Sequence, residues 1–317
     1  MINLEGKTVL VTGGEGFFGS AICEALGKRK AIPVALRHRS VNLCDLNAFI
    51  ASIESLRPDY CIHAAGYNGG IEFNIRYPAD ILYSNTVMGL NVHHACEYMG
   101  VKKVVSIMTS CAFPDTGMDI LKEETFWDGL PNKTIRAHGI AKRILNSATQ
   151  AYKEQYNLNA VTACVTNLYG PYDTFDLVRT KVVGALIRKF VEAKLEEHDQ
   201  VECWGTGNPM REFMYVDDAA ESIVQVLEKY EDNDTPLNIG TGKDISIKQL
   251  VEYIVKAVGY TGEVFWNTEK PDGQMKKLLD TTRMKKTVEI NPISVKDGIF
   301  KTTKWYIENK EEADAKK

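Results

Sequence analysis

No apolar run in this chain of 317 residues approaches the ~18 residues that suggest a membrane span. Lys and Arg form no basic block and the net charge is −4, which argues against a nucleic-acid surface. The seven cysteines are odd in number and scattered, with no CxxC pair. That pattern indicates neither a disulfide framework nor a zinc site, and reduced thiols are expected. The start, MINLEGK, lacks the basic-then-apolar layout of a signal peptide, so a cytoplasmic location is the expectation. Repeats and low-complexity linkers are also missing, so any second domain is interleaved with the first. What remains is ordinary: 44% hydrophobic and 25% charged residues, in a chain long enough for one large α/β unit or two domains.

Short β-branched runs alternate with longer helical patterns. KTVLVTG, AIPVAL, DYCIHAA, KVVSIMTS and AVTACVTN read as strands; 18–29, 45–56, 79–99 and 139–156 read as helices. Strands spaced by crossover helices imply a parallel sheet covered on both faces. After about residue 170 the rhythm loosens into a helix at 181–196, VECW, the turn GTGNPM, a helix at 217–229, LNIG and a helix at 246–258. EVFW, a loop at TEKPDGQMKK and a frayed tail, KEEADAKK, are expected to close the chain.

The stretch VLVTGGEGFFGSAI places Gly13, Gly16 and Gly19 after a strand and at the start of a helix. Glycines there permit a tight turn and close approach of backbone to a pyrophosphate, whose charge the helix N-terminus attracts. A plain βα turn uses the same residues, but this one stands in the first βα unit of an alternating chain. An NAD-selective site places Asp or Glu roughly 20 residues past the glycines. This chain has LRHRS instead, with Arg37 and Arg39 and no carboxylate. Guanidinium forks suit a 2′-phosphate, which points to NADP(H). Asp45 suits either the adenine amino group or a helix N-cap.

These residues resemble the extended short-chain dehydrogenase/reductase family, in particular its GDP-L-fucose synthase branch, the GDP-4-keto-6-deoxymannose epimerase/reductases. HAAGYNGG (63–70), TSCAFPD (109–115), TNLYGPYD (166–173), WGTGNPMREFMYVDD (204–218), NIGTG (238–242) and KPDGQMKKLLD (270–280) carry the resemblance in order. It implies a Rossmann-type doubly wound parallel sheet with a smaller interleaved α/β substrate domain. The expected division is 1–168 plus 212–242 for the cofactor and 169–211 plus 243–317 for a nucleotide sugar. It also implies a homodimer through the helices near 79–99 and 139–156. Gly13, Gly16, Phe17, Phe18, Gly19, Ala64 and Ala65 fall at cofactor positions. Thr109 falls where the family's Ser/Thr meets the sugar C4 oxygen, and Lys142 where a lysine holds the nicotinamide ribose. Asn167, Lys189, Trp204, Arg211 and Asp272 fall at positions that grip the nucleotide sugar.

Two positions depart from the pattern. His138, in RAHGIAK, stands for the family's tyrosine, four residues before Lys142, and Lys181 stands for its epimerisation histidine. Cys111, the epimerisation base, is retained; a buried core cysteine is the plain alternative. His138 is expected in the cleft rather than on a solvated helix face. A 4-keto group acidifies the hydrogens at C3 and C5, so epimerisation needs a base, an acid and a donor at the oxyanion. Cys111, Lys181 and Thr109 fit those roles. The expected function is an NADP(H)-binding epimerase/reductase of a GDP-linked 4-keto sugar, its C4 reduction weakened by His138. The rivals are a nucleotide-sugar dehydratase or dehydrogenase, and a catalytically weak partner of an active homologue.

Overall fold

The computed structural model describes residues 1–36, 41–176, 178–270, 272 and 274–315. Its strands are β1 (Thr8–Thr12), β2 (Ile32–Ala35), β3 (Tyr60–His63), β4 (Lys103–Thr109), β5 (Ile120–Leu121), β6 (Ala160–Val165) and β7 (Asn167–Tyr169). They continue with β8 (Gln200–Trp204), β9 (Met210–Tyr215), β10 (Leu237–Ile239), β11 (Asp244–Ser246), β12 (Glu263–Asn267) and β13 (Lys276–Leu279). The helices are α1 (Phe17–Lys28), α2 (Leu46–Ile53), α3 (Ile71–Arg76), α4 (Pro78–Tyr98) and α5 (Arg136–Tyr156). After them come α6 (Val182–Leu195), α7 (Val216–Lys229), α8 (Ile247–Val258), α9 (Val295–Glu308) and α10 (Lys310–Ala315).

The main sheet has the order β10-β6-β4-β3-β1-β2, all parallel. Every residue of β3 and β6 is buried, as for strands covered on both faces. One face packs Ile22 and Leu26 of α1 with Ile223 and Leu227 of α7; the other packs Phe49 and Ile53 of α2 with Val92 and Cys96 of α4. From β1 the chain passes to β2 on one side and then to β3 on the other. Ligands of such sheets sit at this switch, beyond the carboxyl ends of the strands.

A second layer holds the order β11-β9-β13-β5, with β7 beside β9 and a separate pair β12-β8. Its core joins Phe190 of α6, Leu250 and Ile254 of α8 and Tyr306 of α9. Ser246 caps α8 by accepting from the Gln249 N–H, and Gly259 ends it in the left-handed region at φ 67°. The two layers meet at a small apolar cluster of Met108, Ala112, Phe113, Leu121, Leu145, Cys164 and Leu279. The boundary expected between 211 and 212 falls inside β9, which among the described residues pairs with β11, β13 and β7 of the second layer.

Two sequence expectations are corrected. The TEKPDGQMKK loop ends in β13, whose run KKLL has little strand propensity and is held by its pairing with β9 and β5. The tail is not frayed through 315: α10 is tied down because Asp314 accepts from Lys310 Nζ at 2.6 Å and from the Tyr306 hydroxyl at 2.9 Å. The helices α3 and α9 are additions to the sequence reading.

One buried lysine is structural. Lys103 Nζ donates to the carbonyls of Val226, Leu227 and Tyr230 and meets Glu231 at 3.2 Å, closing the C-terminal end of α7. Helix ends leave such carbonyls without partners, and a cation suits the negative pole.

Candidate active site

At the end of β1, Gly13 has φ +70°, and a Cβ there would lie 2.8 Å from Ala65 Cα. Only glycine lets the two loops touch. Gly16 is the N-cap of α1, with no side-chain cap and no acidic residue in the first turn. Phe17 and Phe18 pack on the main core, and Gly19 lies in the first turn. The Ala65 N–H donates to Thr12 Oγ1 at 3.4 Å, and Thr12 Oγ1 also pairs with His63 Nδ1 at 2.8 Å. Gly13, Gly16, Gly19, Ala64 and Ala65 thus converge on the switch point, where helix N–H groups suit an anion. Asp45 is the N-cap of α2, accepting from the Ala48 N–H at 3.0 Å. Arg37 and Arg39 lie outside the described residues.

β4 ends at Thr109, and a 3-10 turn over Ser110–Ala112 carries Cys111. Thr109 Oγ1 accepts from the Cys111 N–H at 3.3 Å. α5 lies directly on this turn: a Cβ at Gly139 would stand 2.7 Å from the Cys111 carbonyl oxygen. Arg143 locks the contact, donating to the carbonyls of Ala112 and Gly129, each at 2.6 Å, with its guanidinium over the rings of Phe126 and Trp127. The register of α5 is therefore fixed. It buries His138 and Lys142, one turn apart, at 5% and 7% exposure. Lys142 Nζ reaches the loop after β3, 3.7 Å from a Cβ built on Gly66.

The electrostatics of this pocket are set by cations. Lys277 Nζ contacts Cys111 Sγ at 3.4 Å. Burial pushes the Cys111 thiol up, but the Lys277 charge, hydrogen bonds from Thr109 and Lys277, and the charge of Lys181 bring it below the ordinary thiol value. His138 is pulled down to about 3 by burial and then by the charges of Lys142, Lys181 and Lys277. Burial lowers Lys142 to about 8. Arg211 is lowered by burial against a partial compensation from Cys111, which it faces. Lys181 is exposed at the N-cap of α6 and acts on Cys111 and His138 through its charge.

The sugar-gripping candidates fall into two groups. Around the end of β8, Trp204 is 68% exposed, far from a core position, with Lys270 Nζ 5.5 Å from its ring centre. Asp272 accepts from the N–H and hydroxyl of Thr206 at 2.9 and 2.6 Å, and Lys189 Nζ donates to the Glu202 carbonyl. Arg211 belongs to the second group, as the Cα partner of Lys277 across β9 and β13. Nearby, Asn167 Nδ2 donates to the Glu212 carbonyl at 2.9 Å.

Three residues of the site escaped the sequence reading. Lys277 lay inside the expected loop, although its two-residue spacing from buried Leu279 puts both on one strand face. Glu212, fully buried, accepts from the N–H groups of Thr241, Gly242 and Leu279 at 2.6, 2.7 and 3.0 Å. Asn85 pins the loop after β3, accepting from the Tyr67 N–H and donating to the Tyr67 and Ile81 carbonyls. No local pattern marks Glu212 or Asn85, because the partners of Glu212 and the Tyr67 partner of Asn85 lie on other segments of the chain.

Fold and crevice together define a doubly wound nucleotide-binding protein. Within that class the chain belongs to the NAD dependent epimerase/dehydratase family, whose model matches residues 9–240. It is 36% identical to the GDP-L-fucose synthase of Escherichia coli, over 96% of this chain and 98% of that protein. A GDP-L-fucose synthetase of Naegleria fowleri, solved bound to NADP, superposes with TM-score 0.89 at 28% identity, covering 98% of this chain and 97% of that one. A GDP-mannoheptose C4 reductase of Campylobacter jejuni with NADP bound gives 0.87 at 29% identity, covering 97% and 99%.

Proposed function

We propose that this protein is an NADP(H)-binding enzyme that epimerises a GDP-linked 4-keto sugar beside the carbonyl and reduces C4 slowly. The observation that carries it is the Cys111 thiol, held 3.4 Å from an ammonium at the carboxyl end of β4, next to the glycine crevice. In this reading residues 1–168 and 212–242 hold the cofactor, and 169–211 and 243–317 hold the sugar nucleotide. The uncapped N-terminus of α1 and the glycine contact with Ala65 suit a dinucleotide pyrophosphate. NADPH, when bound, supplies hydride to C4.

Cys111 removes the proton from C3 or C5, and Lys181 returns one from the opposite face. The Thr109 hydroxyl turns from the thiol to the C4 oxygen, where negative charge develops. Trp204 and Arg211 give the nucleotide sugar a flat apolar wall and a guanidinium for phosphate, and Lys189, Asn167 and Asp272 frame the same side. His138 stands where a proton must reach the C4 alkoxide, but an imidazole is shorter than a phenol. A misplacement of about 1 Å can cost on the order of 100-fold in rate.

The two-helix face of α4 and α5, with exposed Leu82, Tyr83, Leu90 and Tyr156, is assigned to a second copy of the chain. Among the described residues no helix is long and apolar enough to cross a membrane. Seven free cysteines suit a reducing, cytoplasmic setting. The test is incubation with a 4-keto nucleotide sugar in D₂O, read by NMR. Deuterium is expected at C3 or C5, and undiminished incorporation by the Cys111→Ser, Lys181→Ala double variant overturns the assignment.

A further inference from the structure

We infer that Lys277 is a positioning residue for catalysis, holding Cys111 as a thiolate through an ammonium–thiolate pair carried from β13 to the turn after β4. The inference rests on the reading of Cys111 as the carbon base. Its first support is contact: Nζ and Sγ stand 3.4 Å apart, within hydrogen-bond reach for sulfur. Its second is direction. Along β13 the side chain of Lys277 shares a face with Leu279, which is 2% exposed and packs with Ala112, next to Cys111. Lys277 is half-buried, and a partner for its ammonium on that inward side lowers the cost of turning the charge away from water. Among the described residues no carboxylate stands within ion-pair distance of Lys277, which leaves the thiol.

The third support is rigidity. β13 is paired on one side with β9, Lys277 opposite Arg211, and on the other with β5, Leu279 opposite Leu121. The Leu279 N–H is also held by buried Glu212 at 3.0 Å. The backbone that carries the ammonium is therefore fixed before substrate arrives. The other groups acting on Cys111 are Thr109 at the end of β4, Lys181 at the N-cap of α6, Arg211 on β9 and Cys164 on β6. Asp115 borders the same small cleft and accepts from Asn132 Nδ2, while His138 and Lys142 of α5 stand alongside. Of these, Lys277 alone among the described cations hydrogen-bonds the sulfur.

The division of labour follows. Lys277 supplies a ready base, and exposed Lys181 is left free to act as the acid. When the thiolate takes the carbon-bound proton, the C–H electron pair delocalises onto the C4 oxygen and the sulfur becomes a neutral thiol. The ammonium of Lys277 then faces a neutral thiol, and it stabilises the thiolate again once the sulfur gives up its proton.

Iodoacetamide alkylation of the full chain against pH tests this, with Cys111→Ser used to subtract the other six cysteines. Wild type is expected to alkylate readily at neutral pH. In Lys277→Met the profile moves to higher pH, and the neutral rate of Cys111 falls about tenfold or more. Lys277→Arg, which keeps the charge, restores most of the rate; Lys277→Gln repeats the loss if the methionine variant folds poorly. A Lys277→Met and Lys277→Gln profile that superposes on wild type overturns the inference. Deuterium exchange separates the two claims. If exchange needs Cys111 but ignores Lys277, this inference falls and the proposed function stands. If alkylation needs Lys277 while Cys111→Ser exchanges undiminished, the pair stands and the proposed function falls.

Discussion

The proton that reaches a C4 alkoxide is expected to come from Lys142 through a neutral His138, and the pH dependence of the reduction reads this directly. Buried His138 is lowered from 6.5 to about 3. At about 1.36 kcal/mol per unit, charging the ring at pH 7 costs roughly 5 kcal/mol, and about one ring in ten thousand is an imidazolium. Lys142, lowered to about 8, is roughly nine-tenths protonated at that pH. The acid form is thus present below pH 8 and lost as pH rises through it. A neutral imidazole passes the proton on, taking it at one ring nitrogen while releasing it from the other. Single-turnover NADPH oxidation with a 4-keto sugar is expected to be level from pH 5.5 to 7 and to fall about tenfold per unit above 8. Lys142→Met abolishes that break. His138→Tyr, which restores reach, raises the rate about 10- to 100-fold. A rate that already falls between pH 5 and 7 identifies an imidazolium donor and refutes the reasoning. So does a wild type that turns over at tens per second and outpaces the tyrosine variant.

Further outcomes are expected away from that step. NADPH binds more tightly than NADH, and Arg37→Ala narrows the gap about 10- to 100-fold in calorimetric titration; equal wild-type affinities exclude the 2′-phosphate assignment. Lys103→Met leaves the three carbonyls at the end of α7 without their donor and lowers stability by about 3 kcal/mol in urea unfolding, whereas an unchanged midpoint removes the capping role. Stability is expected to fall as pH drops from about 6.5 toward 3, because unfolded histidine takes a proton that buried His138 refuses. His138 alone accounts for about 2 kcal/mol at pH 5, and His138→Gln loses that share of the slope.

The parallel sheet was legible because its strands are continuous apolar runs separated by amphipathic helices, a local signal in each case. The glycine crevice was legible because close backbone approach admits so few residues. Cys111, His138 and Lys142 were named through the family resemblance of TSCAFPD and RAHGIAK, since no local pattern of their own marks a cysteine, a histidine or a lysine as part of a cleft. Lys277 was not, because β13 is a strand by virtue of its neighbours, and KKLL on its own reads as a solvated run. Glu212 and Asn85 were hidden for a related reason: Glu212 serves backbone groups far along the chain, and Asn85 ties α4 to Tyr67 in the loop after β3. Asp45 does cap α2, accepting from the Ala48 N–H, as a local sequence signal can indicate. The α10 segment was misread because its charges looked solvated, while Ala313 is buried and Asp314 is held by Tyr306 and Lys310.

The crowd of cations beside Cys111 has a consequence for encounter as well as for chemistry. The chain as a whole carries a charge of −4, the same sign as a sugar nucleotide or NADPH, so its surface as a whole repels both. The cleft inverts that sign locally. In the inferred thiolate form the Lys277–Cys111 pair is neutral seen from a distance, and the attractive field then comes from Lys142, Lys181 and Arg211. Low-dielectric walls focus such a field outward through the mouth, guiding anions to the opening and excluding them elsewhere. Capture is therefore a diffusional process with a strong dependence on ionic strength, because the screening length shrinks to about 8 Å at physiological salt. Departure, which breaks contacts already made, depends on salt far less. An enzyme of this shape gains occupancy at low salt mainly by arriving faster.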